Sequence, residues 1–153
     1  MPDAIEQTHE GYRISTDPAL LDVDVIHNFL KGAYWSSGIP RAIVEQAIEN
    51  SLNFGLYLYG AQIGFARVCT DRTTFAYLMD VFVLPEHRGT GLGLWLMESL
   101  MEHPDLQGLR IFRLATRDAH GLYEKVGFSR VANPDVMMEI NRPDIYVEME
   151  QQR

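Results

Sequence analysis

The sequence predicts a single α/β domain, and three observations predict it. Helix-period and strand-period segments alternate along the 153 residues. One strand, residues 73 to 83, is apolar almost without a break, as a central strand covered on both faces is. That strand then passes through a glycine-rich turn into a helix. With 46% apolar residues, a chain of this length buries enough core to stand as one domain over residues 1 to 153.

The elements follow in order. Residues 11 to 15 (GYRIS) form a short opening strand, and residues 22 to 32 carry Val25, Ile26, Phe29 and Leu30 at the spacing of a first helix. Pro40 suits the first position of a second helix, in which Ile43, Val44, Ala47 and Ile48 recur at three and four and which ends near Asn50. Residues 54 to 59 and 62 to 70, rich in aromatic and β-branched side chains and separated by Gly60-Ala61, read as a hairpin. In the strand at 73 to 83 only Asp80 interrupts the run Tyr77-Leu78-Met79-Asp80-Val81-Phe82-Val83. After the turn, Leu92, Trp95, Leu96 and Leu100 share one face of a helix that ends at His103-Pro104. Residues 109 to 116 form another strand. Asp118 can cap a short helix over residues 119 to 126 that Gly127 closes. Weaker strand signals occupy residues 136 to 140 and 145 to 149.

Thirteen basic residues against 21 acidic give a net charge of −8, which disfavours nucleic acid and anionic lipid as partners and favours cations or amines. The single cysteine, Cys69, cannot form an intramolecular disulfide and is expected inside a strand. No apolar run reaches the roughly 20 residues of a membrane span, and residues 1 to 14 lack the pattern of a signal peptide, so the expectation is a cytoplasmic protein. Histidines at 9, 27, 87, 103 and 120 have no metal-ligand spacing, and no metal is expected.

The chemistry concentrates at Arg88-Gly89-Thr90-Gly91-Leu92-Gly93. Glycines where a strand turns into a helix let several backbone N–H groups face one anion at the positive end of the helix dipole. A Walker loop would need a lysine that is absent here, and the dinucleotide fingerprint has a different glycine spacing. A glycine-rich turn that binds nothing is the remaining alternative.

The run from Asp80 to Gly93 (DVFVLPEHRGTGLG) resembles the central motif of the GNAT (GCN5-related) N-acetyltransferases, an Arg or Gln followed by x-x-Gly-x-Gly/Ala, which Arg88, Gly91 and Gly93 match. Residues 122 to 128 (LYEKVGF) resemble the second signature of that family. The resemblance implies a mixed sheet of about six or seven strands flanked by about four helices, with two central strands, 73 to 83 and 109 to 116, splaying apart. It implies acetyl-CoA as co-substrate, its pyrophosphate on the amides of Arg88, Gly89, Thr90, Gly91, Leu92 and Gly93 and its pantetheine arm along the main chain of Phe82 and Val83. Thr116, Asp118 and Tyr123 would complete the cofactor side.

Acyl transfer to an amine needs a proton removed from the amine, a donor for the oxyanion and a proton for the departing thiolate. By resemblance Tyr123 is the general acid, although it also falls on the apolar stripe Ala119, Leu122, Tyr123, Val126. Asp80 must pair, reach water or take up a proton, because it is a carboxylate in an apolar strand. It is a candidate base, and equally a group that orders the cleft or attracts a cationic substrate. Tyr34, Trp35 and Ser36, with Asp80 and His120, form the expected acceptor side; Trp95 belongs to the core. The expected activity is transfer of acetyl from acetyl-CoA to a primary amine of a small molecule or peptide in a ternary complex. The alternative is a silent acyl-CoA sensor that keeps the loop and does not depend on Tyr123. An edge strand near the C-terminus leaves a homodimer open.

Overall fold

A computed structural model describes residues 4 to 152. Six strands form one sheet in sequence order, flanked by five α-helices. Strands β1 (Glu6–His9) and β2 (Tyr12–Ser15) open it as a hairpin. Nothing in Glu-Gln-Thr-His signals a strand: it has no apolar alternation and is fixed only by its pairing with β2. Helix α1 (Val23–Leu30) begins where the Asp22 side chain accepts from the Val25 amide, and it buries Ile26 and Leu30. Pro40 caps α2 (Arg41–Glu49) from just outside, one position earlier than the sequence predicts.

Strands β3 (Leu52–Leu58), β4 (Ala61–Thr70) and β5 (Phe75–Val83) continue the antiparallel meander. Helix α3 (Leu92–Met101) then crosses over to β6 (Ile111–Leu114), which pairs with β5 in parallel. That pairing runs only from Phe75–Ile111 to Leu78–Leu114, while β5 continues to Val83. The two strands therefore part, as the resemblance implies. A short helix, α4 (His120–Glu124), follows and is closed before Gly127.

Apolar side chains divide between two cores, as a sheet covered on both faces requires. One gathers Leu52, Phe54, Ala66, Val68, Ala76 and Leu78 against Leu96, Met97 and Leu100 of α3, with Trp95 packed beside them. The other gathers Phe65 and Phe82 against Ile26, Leu30 and Val44 of α1 and α2. A β-bulge interrupts the β4–β5 ladder, where the register steps from Phe65–Phe82 to Arg67–Met79. Asp80 sits in the bulge with φ of 56°, a conformation that aspartate tolerates better than most side chains.

The C-terminal region corrects two expectations. Residues 136 to 140 are not a paired strand: Pro134–Val136 form a short helical turn and residues 137 to 140 have no ladder partner among the described residues. The predicted strand at 145 to 149 is helix α5 (Ile145–Gln151). Ile145, Tyr146 and Met149 suit one helical face as well as they suit a strand, and Tyr146 settles the matter by packing on the second core. No described helix is long and apolar enough to cross a membrane.

Candidate functional site

The parting of β5 and β6 opens a cleft of about 280 Å3. Its walls are Tyr77 to Val81 of β5, Leu114 to Thr116 at the end of β6, Asp118 and Ala119 ahead of α4, Tyr123 of α4, and Tyr34 with Trp35 from the segment between α1 and α2. The topology thus brings together Asp80, Thr116, Asp118, Tyr123, Tyr34 and Trp35 from four separate stretches of sequence.

The glycine-rich turn lies where β5 leads into α3. Gly89 and Gly91 both adopt φ of 84°, and Gly91 is the N-cap of α3. That backbone is strained for any residue bearing a Cβ, and no protein atom lies within 4 Å of where either Cβ would stand. Among the described residues, the amides of residues 89 to 94 donate to no protein acceptor. A run of free N–H groups at the positive end of a ten-residue helix, beside open space, fits a phosphate group. Arg88 curls back, its Nε donating to the Val83 carbonyl at 2.8 Å, so of the Val83 main-chain groups the carbonyl already has a partner. Phe82 points its side chain into the second core, stacked on Phe29 at 4.1 Å between ring centroids.

Tyr123 is 9% exposed and packs edge-on against Phe128. Its hydroxyl makes no hydrogen bond among the described residues while the side chain borders the cleft. Burial, with smaller contributions from Tyr34 and Asp118, pushes its pKa above the ordinary value of 10.

Asp80 resolves its three options by pairing. Arg67 Nε donates to one carboxylate oxygen at 2.8 Å and Trp35 Nε1 to the other at 2.9 Å, and the ion pair is nearly dry, with 12% and 8% of the two side chains exposed. Arg67 also donates to the Ser51 hydroxyl at 3.0 Å and towards the Cys69 sulfur at 3.2 Å. Trp35 is therefore anchored to the floor of the cleft by its indole nitrogen. Tyr34 packs edge-on to it at 5.1 Å and lies under the Arg117 guanidinium at 3.7 Å.

Two expected positions, Ser36 and His120, fall elsewhere, and a third, Asp118, is in place without its expected cap. Ser36 is buried and donates its hydroxyl to the Leu30 carbonyl at 2.6 Å, closing the end of α1 rather than lining the cleft. His120 borders a second groove along β6, which shares Leu114, Ala115, Thr116 and Tyr123 with the cleft. Asp118 borders the cleft but does not cap α4; the first amide of that turn, on Ala119, donates to Thr116 Oγ1 at 3.0 Å. Arg67, Tyr77, Met79 and Arg117 are the residues that sequence reasoning missed. Arg67 carries a usable signal: it is a lone charge in an apolar strand, adjacent in the sheet to the strand that holds the lone charge Asp80.

Comparison with known proteins adds to this geometry. Residues 50–130 match the family model described as an acetyltransferase (GNAT) domain. A candidate acetyltransferase of Gibberella zeae is 38% identical over 141 residues, covering 77% of this chain and 78% of its own. The [ribosomal protein bS18]-alanine N-acetyltransferase of Haemophilus influenzae is 33% identical over 63% of this chain and 66% of its own. A candidate GNAT-family acetyltransferase of known structure from Xanthomonas campestris pv. campestris superposes with a TM-score of 0.87 at 51% identity, covering 91% of this chain and 99% of that one. A candidate acetyltransferase of Clostridium acetobutylicum solved with acetyl-CoA shares the fold at a TM-score of 0.61 and 16% identity, over 85% of this chain and 94% of that one.

Proposed function

Because the chain belongs to the GNAT acetyltransferase family, we propose that it transfers acetyl from acetyl-CoA directly to a primary amine of a small molecule or peptide. The observation that carries this reading is one juxtaposition. A run of free amides at the start of α3 lies against α4, where a Cβ on Gly93 would stand 3.8 Å from Leu122 Cδ2, and the next residue, Tyr123, presents a protonated, unpartnered phenol to the cleft between β5 and β6. The acetyl-CoA seen with the Clostridium protein and the alanine acceptor named for the Haemophilus enzyme are consistent with it.

Bound there, acetyl-CoA supplies an activated thioester carbonyl. The amides of Gly89, Thr90, Gly91, Leu92 and Gly93 hold the pyrophosphate, and Arg88 can leave the Val83 carbonyl to add its charge. The main chain at the end of β5, at Phe82 and Val83, guides the arm towards Thr116 and Asp118. Tyr123 keeps its proton well past neutrality, because burial raises its pKa, and donates that proton or a hydrogen bond to the departing sulfur. Asp80 attracts and orients the acceptor ammonium with the lone pairs that Arg67 and Trp35 leave free; the ammonium gives one proton to solvent to become the nucleophile, and the second proton its nitrogen sheds after attack replaces the one Tyr123 gives to the sulfur. Tyr34 and Trp35 shield the amine from water.

Thiol release from acetyl-CoA against a panel of amines, polyamines, amino acids and short peptides tests the activity. For Tyr123→Phe we expect kcat to fall by about 100-fold, the scale of a general acid, with CoA affinity nearly unchanged. Unaltered turnover would remove Tyr123 from the mechanism. Tight CoA binding with no release across the panel would instead favour a sensor.

A further inference from the structure

The acceptor side of the cleft ends in a cation that the chain itself does not neutralise. Arg117, on the loop between β6 and α4, lays its guanidinium over the Tyr34 ring with Cζ 3.7 Å from the centroid. The chain carries 21 acidic residues against 13 basic, yet among the described residues no carboxylate lies within ion-pair distance of Arg117, not even Asp118 beside it in sequence. Stacking occupies the face of the guanidinium and leaves the donors, which lie in its plane, to solvent, where Arg117 is exposed. Tyr34 in turn meets Trp35 edge-on at 5.1 Å, and Trp35 is tied to Asp80 at 2.9 Å. The ring pair is thus held between a carboxylate at the floor of the cleft and a guanidinium at its rim.

The packing also says which ligand this cation faces. Trp35 packs on Phe29, which stacks on Phe82 in the α1–α2 core. Helix α3, whose first amides are the candidate phosphate site, packs on the other face of the sheet. Arg117 is joined to the α1–α2 side through Tyr34, away from the start of α3.

We infer that Arg117 is a specificity-determining residue and that the acceptor carries a carboxylate as well as its amine, as an amino acid or a peptide with a free carboxylate does. The inference rests on the acetyl-transfer reading above and narrows it. The ammonium goes to Asp80, and the carboxylate to the planar fork of Arg117, which can donate to both of its oxygens. The same guanidinium works against a diamine, whose second ammonium would meet a like charge. Asp80 alone does not make that distinction, because Arg67 already balances its charge. The net charge of −8 favours polycations over the protein as a whole, and the cleft rim opposes them.

Thiol release is measured with glycylglycine and with straight-chain aminocarboxylates from glycine to aminohexanoate, each beside its neutral amide and, for the straight chains, the diamine of the same length. Calorimetry on the CoA-bound protein reads binding of the same compounds without turnover. At the best chain length the aminocarboxylate should show a KM about 10-fold below that of its amide, with similar kcat, the scale of one exposed charge-assisted contact, and the diamine should be poorest. Arg117→Gln should erase that ratio, Arg117→Lys should restore part of it, and CoA affinity should not move. Loss of Arg117 breaks no ion pair, and the amide, measured alongside, reports any general damage. The inference is overturned if no aminocarboxylate is favoured over its amide, if a diamine is the best acceptor, or if Arg117→Gln weakens aminocarboxylate and amide equally. A fall in CoA affinity in that variant overturns it too, by assigning the cation to the cofactor. If no amine gives release, a calorimetric preference for the aminocarboxylate that Arg117→Gln abolishes upholds the carboxylate site and sinks the transfer reading, and the lack of such a preference sinks both.

Discussion

Replacing Asp80 with alanine should unfold the protein at a markedly lower temperature, and the size of the loss can be worked from its neighbours. The carboxylate faces the Arg67 guanidinium at 2.8 Å, in a pair whose side chains are 12% and 8% exposed. Removing one member of a buried pair leaves the other charge uncompensated, at about 3–5 kcal/mol. Arg67 retains Ser51 and Cys69 as partners, so the lower end, about 3 kcal/mol, applies. Alanine at φ of 56° adds about 1 kcal/mol, because its Cβ crowds the following carbonyl. The total is about 4 kcal/mol, or a melting temperature lower by about 8–16 °C for a chain of this size. Asp80→Asn keeps the tolerance for positive φ and an acceptor for Trp35, and should lose about half as much. Thermal unfolding followed by circular dichroism reads both. A cycle with Arg67→Met should show the double variant losing less than the sum of the singles, by about 1–3 kcal/mol. An alanine variant within about 1 kcal/mol of wild type, or an additive cycle, would refute the claim that this pair holds the cleft together.

Two further outcomes are open to direct measurement. Tyr57 is buried with a hydroxyl that has no partner among the described residues, and burial pushes its pKa far above the ordinary 10; Tyr57→Phe should therefore raise stability by about 1 kcal/mol in denaturant titration, whereas a loss would reveal a hydrogen bond at that hydroxyl. His103 accepts from the Asp105 amide through Nδ1, and burial lowers its pKa below 6.5, so the folded state favours the neutral ring. Its contribution is complete above pH 6.5 and is lost as pH falls through the lowered folded value, and His103→Asn, which keeps an acceptor, should flatten that acid limb of a stability–pH profile; equal slopes would acquit His103.

Much of the fold is legible in the sequence because most elements carry their own period. Leu92, Leu96 and Leu100 define α3 without help from tertiary structure, and the hairpin of β3 and β4 is visible from its aromatic run before Gly60 and its partly β-branched run after it. Elements set by their neighbours are not legible. Strand β1 exists because β2 offers it a ladder, and α5 is a helix where Tyr146 has a core to reach. The site divides in the same way. The loop at 88 to 93 and Tyr123 stand in contiguous motifs, while the cleft depends on contacts between distant residues: Trp35 with Asp80, Asp80 with Arg67, Arg117 with Tyr34. Ser36 is the converse case, adjacent in sequence to two cleft residues yet turned to a helix end.

The bulge at Asp80 also changes how strand β5 must be read. Ala76 and Leu78 face the α3 side of the sheet, and strict alternation would send Phe82 there too. Phe82 lies instead in the opposite core, while Val81 and Val83 turn towards α3. The extra residue inverts the parity of the strand, so one length of chain seals two different compartments. Deleting residue 80 would therefore remove more than a charge. It would close the bulge and restore strict alternation, with Val81 opposite Ala66 and Phe82 still opposite Phe65, so that Val81, Phe82 and Val83 keep the faces they now seal while the bend that presents the carboxylate to Arg67 and Trp35 is lost.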